Sequence, residues 1–335
     1  MQREALTDAT TARFARIAHH FRESLEGKRD VKSGPQELFQ LVGRTPLVEL
    51  KHVSPSPRVH IFAKLEGANP SGSVKDRIVL AMVEAAERRG DLKPGGTIVE
   101  ASTGNTAIAA ALIGKQKDYA VRVVLPRGIV PSVADLLALY GAEIVWCEPV
   151  SGMRGAIELA RAMAEEEGAY SLGQFTDHVN VDSHYHTTGV EIADAMDAVD
   201  VFVAGIGTGG TIMGVGKRLR ETWPDLRIVG VEPRLGERLQ GLRSLAEGYI
   251  PPLLDLDQLS ARYLVGSSDA IKTARQVVEA EGIFAGVSSG ATLHVALRVA
   301  ETMESGNIVV MFSDGGWKYL PAKPWDAAEH SQENL

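Results

Sequence analysis

The sequence has little cysteine, no long apolar run and no excess of positive charge. A single cysteine, Cys147, in 335 residues rules out an internal disulfide and fits a reducing cytosol. It ends an apolar run, 143–147, where a buried packing thiol is expected instead of a nucleophile. No apolar stretch reaches the roughly 18 residues that a membrane span needs. The first residues lack an apolar signal core, and Glu4, Asp8, Glu23 and Glu26 argue against a transit peptide. A cytoplasmic location without a membrane partner is expected. With 35 basic against 43 acidic residues the formal charge is −8, which weighs against nucleic-acid binding.

What the sequence does have is alternation. Strand-like segments fall at 47–50, 59–65, 97–100, 121–125, 143–146, 199–204, 227–231 and 307–312. Helix-like segments fall at 76–89, 106–117, 133–140, 155–167, 183–196, 212–222, 270–281 and 292–303. Several strands are nearly all apolar, as in a parallel sheet covered on both faces. Right-handed βαβ crossovers then predict an α/β architecture, two sheets with a cleft between them. Before Gly34-Pro35 the chain predicts a helix over 11–25. Phe14, Ile17, Phe21 and Leu25 share one side of it, an apolar face for a second subunit or another part of the chain.

Chemistry gathers at the strand-to-helix turns. In Asn69-Pro-Ser-Gly-Ser-Val-Lys75-Asp-Arg77 a lysine sits on a glycine-containing turn at the start of a helix. A cation there is disfavoured by the helix dipole, so it needs a reason: either a solvated surface lysine or an amine made nucleophilic by its surroundings. Gly205-Ile-Gly207-Thr208-Gly209-Gly210-Thr211 leads from a buried strand into a helix, a cradle for an anion. The same loop satisfies G-x-G-x-x-G, and Glu232 ends the next strand, so a nicotinamide dinucleotide is a rival ligand. Ser102-Thr103-Gly104-Asn105-Thr106-Ala107 offers hydroxyls, an amide and free backbone donors, for a carboxylate or for an ordinary helix cap. Gly286-Val-Ser288-Ser289-Gly290 is a third such turn, and Gln174-Phe175 follows another short strand. His184 and His186 would share a face only on a strand, and nothing completes a four-ligand set, so no metal is expected.

As an ordered set, these motifs resemble the cysteine synthase family of pyridoxal-phosphate (PLP) enzymes, the β-replacement group of fold type II. Gly43-Arg-Thr-Pro-Leu and Asp314-Gly-Gly-Trp-Lys-Tyr-Leu belong to the same set, and the similarity runs from about Leu41 to Leu320. The resemblance implies a two-domain, tryptophan synthase β-like fold. It has an N-terminal helical extension (1–40), a small domain (77–176), a large domain (41–76 plus 177–325) and a tail (326–335). It implies that Lys75 holds PLP as an internal aldimine, that Asn105 bonds the ring hydroxyl, that Gly207, Thr208, Gly209, Gly210 and Thr211 cradle the phosphate, and that Ser288 faces the pyridine nitrogen. Ser102, Thr103, Thr106 and Gln174 would take the substrate carboxylate. Arg234 and Arg243 resemble the branch that accepts O-phosphoserine, and the surrounding short loop resembles the B-type synthases.

The implied reaction makes L-cysteine from O-phosphoserine or O-acetylserine through an aminoacrylate. The sulfur donor would be sulfide, thiosulfate or a thiocarboxylated carrier protein, and the enzyme a homodimer. One departure stands out: the family's Thr-Ser-Gly-Asn-Thr-Gly here reads Ser102-Thr103-Gly104-Asn105-Thr106-Ala107. The swap keeps both hydroxyls, moves a methyl, and is also similar to threonine synthase. Other nucleophiles (giving diaminopropionate or cystathionine), a threonine synthase-like reaction, a nicotinamide oxidoreductase and a catalytically inert binding protein stay open as alternatives.

Overall fold

The computed structural model describes residues 37–126, 131–148 and 152–322. The helix expected over 11–25 lies outside them. Ten strands run β1 Leu47–Glu49, β2 Val59–Leu65, β3 Thr97–Ala101, β4 Ala120–Pro126, β5 Glu143–Cys147, β6 Tyr170–Ser171, β7 Val201–Gly205, β8 Arg227–Pro233, β9 Ala261–Val265 and β10 Gly306–Phe312. The helices are α1 Lys75–Arg89, α2 Asn105–Gln116, α3 Pro131–Leu139, α4 Gly152–Glu167, α5 Val179–His186, α6 Thr188–Ala195, α7 Gly210–Thr222, α8 Ser267–Glu281 and α9 Val287–Ala300.

The strands form two sheets. One has the order β1-β2-β10-β7-β8-β9, parallel except for the antiparallel edge β1. The other has the order β5-β4-β3-β6 and is parallel throughout. In the smaller sheet the strand order reverses beside β3, with β4 on one side and β6 on the other. That reversal is where an open α/β sheet leaves a crevice outside its carboxyl ends. The Ser102–Asn105 turn follows β3 and Gln174 follows β6, so both fall at this point.

The apolar pattern explains the packing. Val201, Phe202, Val203 and Ala204 of β7 are all buried, alternating between two clusters on opposite faces of the larger sheet. In α1, Ile78, Val79, Met82, Val83 and Ala86 recur at helical spacing, and all are buried against the core of the smaller sheet. The Ile, Val and Met side chains each contribute roughly 1.5–3 kcal/mol by leaving water. Gly90, at φ +79°, ends this helix in the left-handed conformation that glycine adopts without penalty. Cys147 is buried in the cluster beneath α4, a packing thiol as expected.

Three local features depart from the sequence expectation. The segment 183–196 is two helices, broken at Thr187 (φ −121°, ψ −78°). β9 was not expected: Ala-Arg-Tyr-Leu-Val is an edge strand with Arg262 and Leu264 exposed, so its alternation does not read as buried. α9 starts at Val287 and not at 292, because Gly290 lets it pack on α8; a Cβ there would lie 2.1 Å from the Ala270 carbonyl oxygen.

Candidate active site

The Asn69–Arg77 motif builds a rigid perch for Lys75. Asn69 Nδ2 donates to Glu66 Oε2 (2.9 Å), and Asn69 Oδ1 accepts from Gly43 N (2.8 Å). Buried Asp76 accepts from both the backbone N–H and the hydroxyl of Ser71, closing the loop. Burial pushes the Asp76 carboxyl up to about 6. Arg77 pairs with Glu66 (2.7 Å) and Glu191 (2.7 Å), and Lys64 also donates to Glu191 (2.6 Å). Val74 N donates to Ser313 O (2.8 Å), and Ser73 bridges to Asp314, which ties the perch to the end of β10. Lys75 thus starts α1 from a fixed backbone. Its Nζ has no hydrogen-bond partner among the described residues. Burial pulls the amine down to about 8, against the attraction of Asp314 and with the repulsion of Lys318. An ordinary lysine near 10.5 would hold roughly three hundredfold less neutral amine at neutral pH.

The glycine loop leads from β7 into α7. Gly209 has φ +89°, and no side chain caps α7. The first external bond into α7 is Met213 N to Gly209 O (3.0 Å), which leaves the N–H groups of Thr211 and Ile212 for an anion. Thr208 Oγ1 accepts from Asn180 Nδ2 (3.0 Å), and Asn180 Nδ2 also donates to Gln174 O (2.8 Å). A Cβ at Gly210 would lie 1.8 Å from Asn180 Oδ1, so only glycine fits there. Thr211 Oγ1 meets Nε2 of buried His184 (3.1 Å), whose Nδ1 meets Thr188 (3.0 Å). Burial holds that imidazole neutral. His184 and His186 lie on the helix α5, one buried and one exposed. Among the described residues no cluster could hold a metal.

The third turn starts α2. Its first bond is Ile108 N to Gly104 O (3.2 Å), so the N–H groups of Asn105, Thr106 and Ala107 stay available. Ser102 Oγ accepts from Gly104 N (3.4 Å), and the Thr103 carbonyl accepts from Gln240 (3.4 Å). The Thr106 hydroxyl donates to Gln174 Oε1 (2.8 Å), and Gln174 Nε2 donates to buried Glu100 (2.5 Å). Burial pushes the Glu100 carboxyl up to about 8. Thr106 therefore offers an anion its backbone N–H, its hydroxyl proton being spent on Gln174. Asn105 Nδ2 donates to Asp314 (2.8 Å), which joins this turn to the lysine perch. Ser288, buried in the first turn of α9, lies against Gly241, whose carbonyl a Cβ at Gly207 would meet at 2.7 Å.

The two arginines separate. Arg234, exposed, pairs with Asp269 (3.6 Å) beside Gly266 at the start of α8. Arg243 lies over the rings of Phe175 (5.2 Å) and Tyr249 (5.0 Å), next in sequence to Gln174 in the first case. No carboxylate pairs with it among the described residues. Glu232, the residue a dinucleotide ribose would need, is 2 % exposed, accepts from Leu245 N (2.6 Å) and pairs with Arg262. It is not available to a ligand, and the nicotinamide reading loses its key residue.

These residues fit pyridoxal phosphate. An uncapped helix start with glycines that tolerate no Cβ suits the phosphate. A lysine with a lowered amine suits the aldehyde, and a neutral hydroxyl on α9 suits the ring. Residues 38–314 match the family model described as pyridoxal-phosphate dependent enzyme. The chain is 39 % identical to the cysteine synthase of Staphylococcus aureus over 293 residues, covering 84 % of this chain and 94 % of that one. It is 38 % identical to cysteine synthase B of Salmonella typhimurium over 296 residues, covering 88 % and 98 %. Among solved structures it superimposes on O-ureido-L-serine synthase with a TM-score of 0.84 at 33 % identity, covering 89 % and 97 %. The chain belongs to the pyridoxal-phosphate-dependent enzymes of fold type II and, within them, to the cysteine synthase family. Its cofactor is pyridoxal phosphate and its chemistry is β-replacement on an amino acid.

Sequence reasoning assigned no role to Glu100, Asn180, Asp314 or Lys318. Asp314 and Lys318 belong to the Asp314–Leu320 motif, but their contacts with Asn105 appear only once the fold brings residues 105 and 314 together.

Proposed function

We propose that the protein makes L-cysteine from an activated serine, with O-phosphoserine as the favoured substrate, and that Lys75 is its catalytic residue. The observation that carries the substrate choice is Arg243. Its guanidinium lies over the rings of both Phe175 and Tyr249, which stand edge to face, and no carboxylate pairs with it among the described residues. A guanidinium edge pairs bidentately with phosphate and poorly with an acetyl group.

The remaining roles are those the family resemblance implies. Gly207 to Thr211 hold the cofactor's phosphate, Asn105 its ring hydroxyl and Ser288 its ring nitrogen. Bound pyridoxal phosphate supplies an electron sink for charge developing at the substrate Cα. Ser102, Thr103, Gln174 and the backbone N–H of Thr106 hold the substrate carboxylate. Lys75 Nζ takes the Cα proton and later returns it, work for which an amine near 8 is better matched than one near 10.5. The Ser288 hydroxyl, unlike a carboxylate, does not hold the ring nitrogen protonated, which favours loss of a good β-leaving group over deeper electron withdrawal. A homodimer in the cytoplasm, with domains divided as in the resemblance above, completes the proposal.

Arg243→Ala is expected to lose phosphoserine turnover far more than acetylserine turnover; equal losses would remove Arg243 from the substrate site. A second nucleophile class is kept for a specific reason: the fold superimposes well on O-ureido-L-serine synthase, which is not named for cysteine. Supplying sulfide, thiosulfate and hydroxyurea side by side, and identifying each amino-acid product by mass, separates the two.

A further inference from the structure

A buried cation lies beside the lysine perch. Lys318 sits in the 3-10 turn Trp317–Ala322, with its side chain 4 % exposed. Its ammonium donates to Asp314 Oδ2 and to Asn105 Oδ1. Asn105 turns Nδ2 onto the same Asp314 oxygen (2.8 Å), and the Tyr319 hydroxyl donates to it as well (2.9 Å). Lys318, Asn105 and Asp314 thus form a closed ring of side chains. An ammonium only donates and a carboxylate only accepts. The ring therefore admits one orientation of the Asn105 amide, with Oδ1 toward Lys318 and Nδ2 toward Asp314. One N–H of Nδ2 is used by Asp314, and the other remains for an acceptor outside the ring.

Stability alone does not call for this arrangement. A buried ion pair is commonly no better than a well-packed apolar pair, because desolvation offsets the attraction. The ring's asymmetric outcome, a fixed amide at the mouth of α2, is what an apolar pair would not supply.

We propose that Lys318 is a positioning residue for the cofactor. It locks the Asn105 amide so that an N–H, and never the carbonyl oxygen, faces the cofactor's ring oxygen, and by polarising that amide it strengthens the N–H as a donor and so favours the ionised form of that oxygen. The inference rests on the role given above to Asn105.

The test uses holoenzymes of Lys318→Met, Lys318→Gln and Lys318→Arg, with Lys75→Ala as the blank. The readout is the absorbance of the bound cofactor. Its visible band belongs to the form with an ionised ring oxygen and its near-ultraviolet band to the form with a proton there. Lys318→Met is expected to move the ratio of the bands toward the near ultraviolet by roughly tenfold, the effect of one charge-assisted hydrogen bond. Lys318→Gln, which keeps a donor but no charge, moves it less, and Lys318→Arg restores the visible band. In an Asn105→Ala background, Lys318→Met changes the ratio no further, because the link it acts through is gone. A Lys318→Met protein that melts earlier but keeps the wild-type band ratio overturns the proposal, and so does full additivity in the double variant. Should the Met variant fail to fold, the Gln and Arg variants decide: a Gln spectrum identical to wild type overturns it, and a shift that Arg reverses supports it. A wild-type protein without a visible band on adding pyridoxal phosphate, or a Lys75→Ala protein that keeps one, is a different failure, since it overturns the site reading on which this one rests.

Discussion

Lys75 has its amine at about 8 because burial costs the ammonium more than Asp314 returns. Capture of pyridoxal phosphate by the apoenzyme needs the neutral amine. Its rate is expected to climb as pH rises and to level off above about 8, as stopped-flow absorbance would record. Lys75→Ala is expected to lose both the visible cofactor band and activity. Glu100 titrates with the opposite consequence for stability. Its folded carboxyl holds a proton up to about 8, whereas an unfolded glutamate releases it near 4.5. Folding is therefore opposed increasingly as pH rises through that interval. Glu100→Gln, nearly the same shape and never charged, is expected to raise stability at pH 8 and leave it nearly unchanged at pH 4, by urea unfolding at both. The strand-to-helix turns that carry Lys75, the glycines and Asn105 were legible in the sequence, because turn residues at fixed spacing carry their own signal. Lys318 and Glu100 were not. The partner of Lys318 at Asn105 is 213 positions away, and Glu100 reads as one more residue of an apolar strand.

At the scale of elements, most strands and helices announced themselves by apolar period, since a parallel sheet buried on both faces leaves little choice of residue. The exceptions had physical causes: β9 is an edge with exposed alternate positions, and the break at Thr187 lies between two helices of eight residues each. The start of α7 is the element most sensitive to change. Gly210→Ala puts a methyl into Asn180, and the loop must move to admit it. A loss of cofactor affinity of at least tenfold is expected by equilibrium titration, with a smaller effect on melting, because the loop and not the core is displaced.

Across the whole molecule, Glu191 is the junction of an ionic network that joins β2, α1 and α6. Burial works against its charge, but the Arg77 guanidinium and Lys64 outweigh burial and hold the carboxyl at about 2. Because the folded value lies below the unfolded 4.5, the contribution is complete above about pH 5 and fades as pH falls toward 2. Its size is on the order of 3 kcal/mol. Glu191→Gln is therefore expected to destabilise the protein at pH 7 and to differ little from wild type near pH 2, again by urea unfolding.

Four helices, α1, α2, α7 and α9, begin at this one place, and each brings the positive end of its peptide dipoles. The chain around them carries a formal charge of −8. An anion thus approaches a repelling body whose attraction is confined to its mouth. Added salt screens the distant repulsion more than the close attraction. Moderate ionic strength should accordingly speed the arrival of anions at the pocket, where most proteins that bind them are slowed.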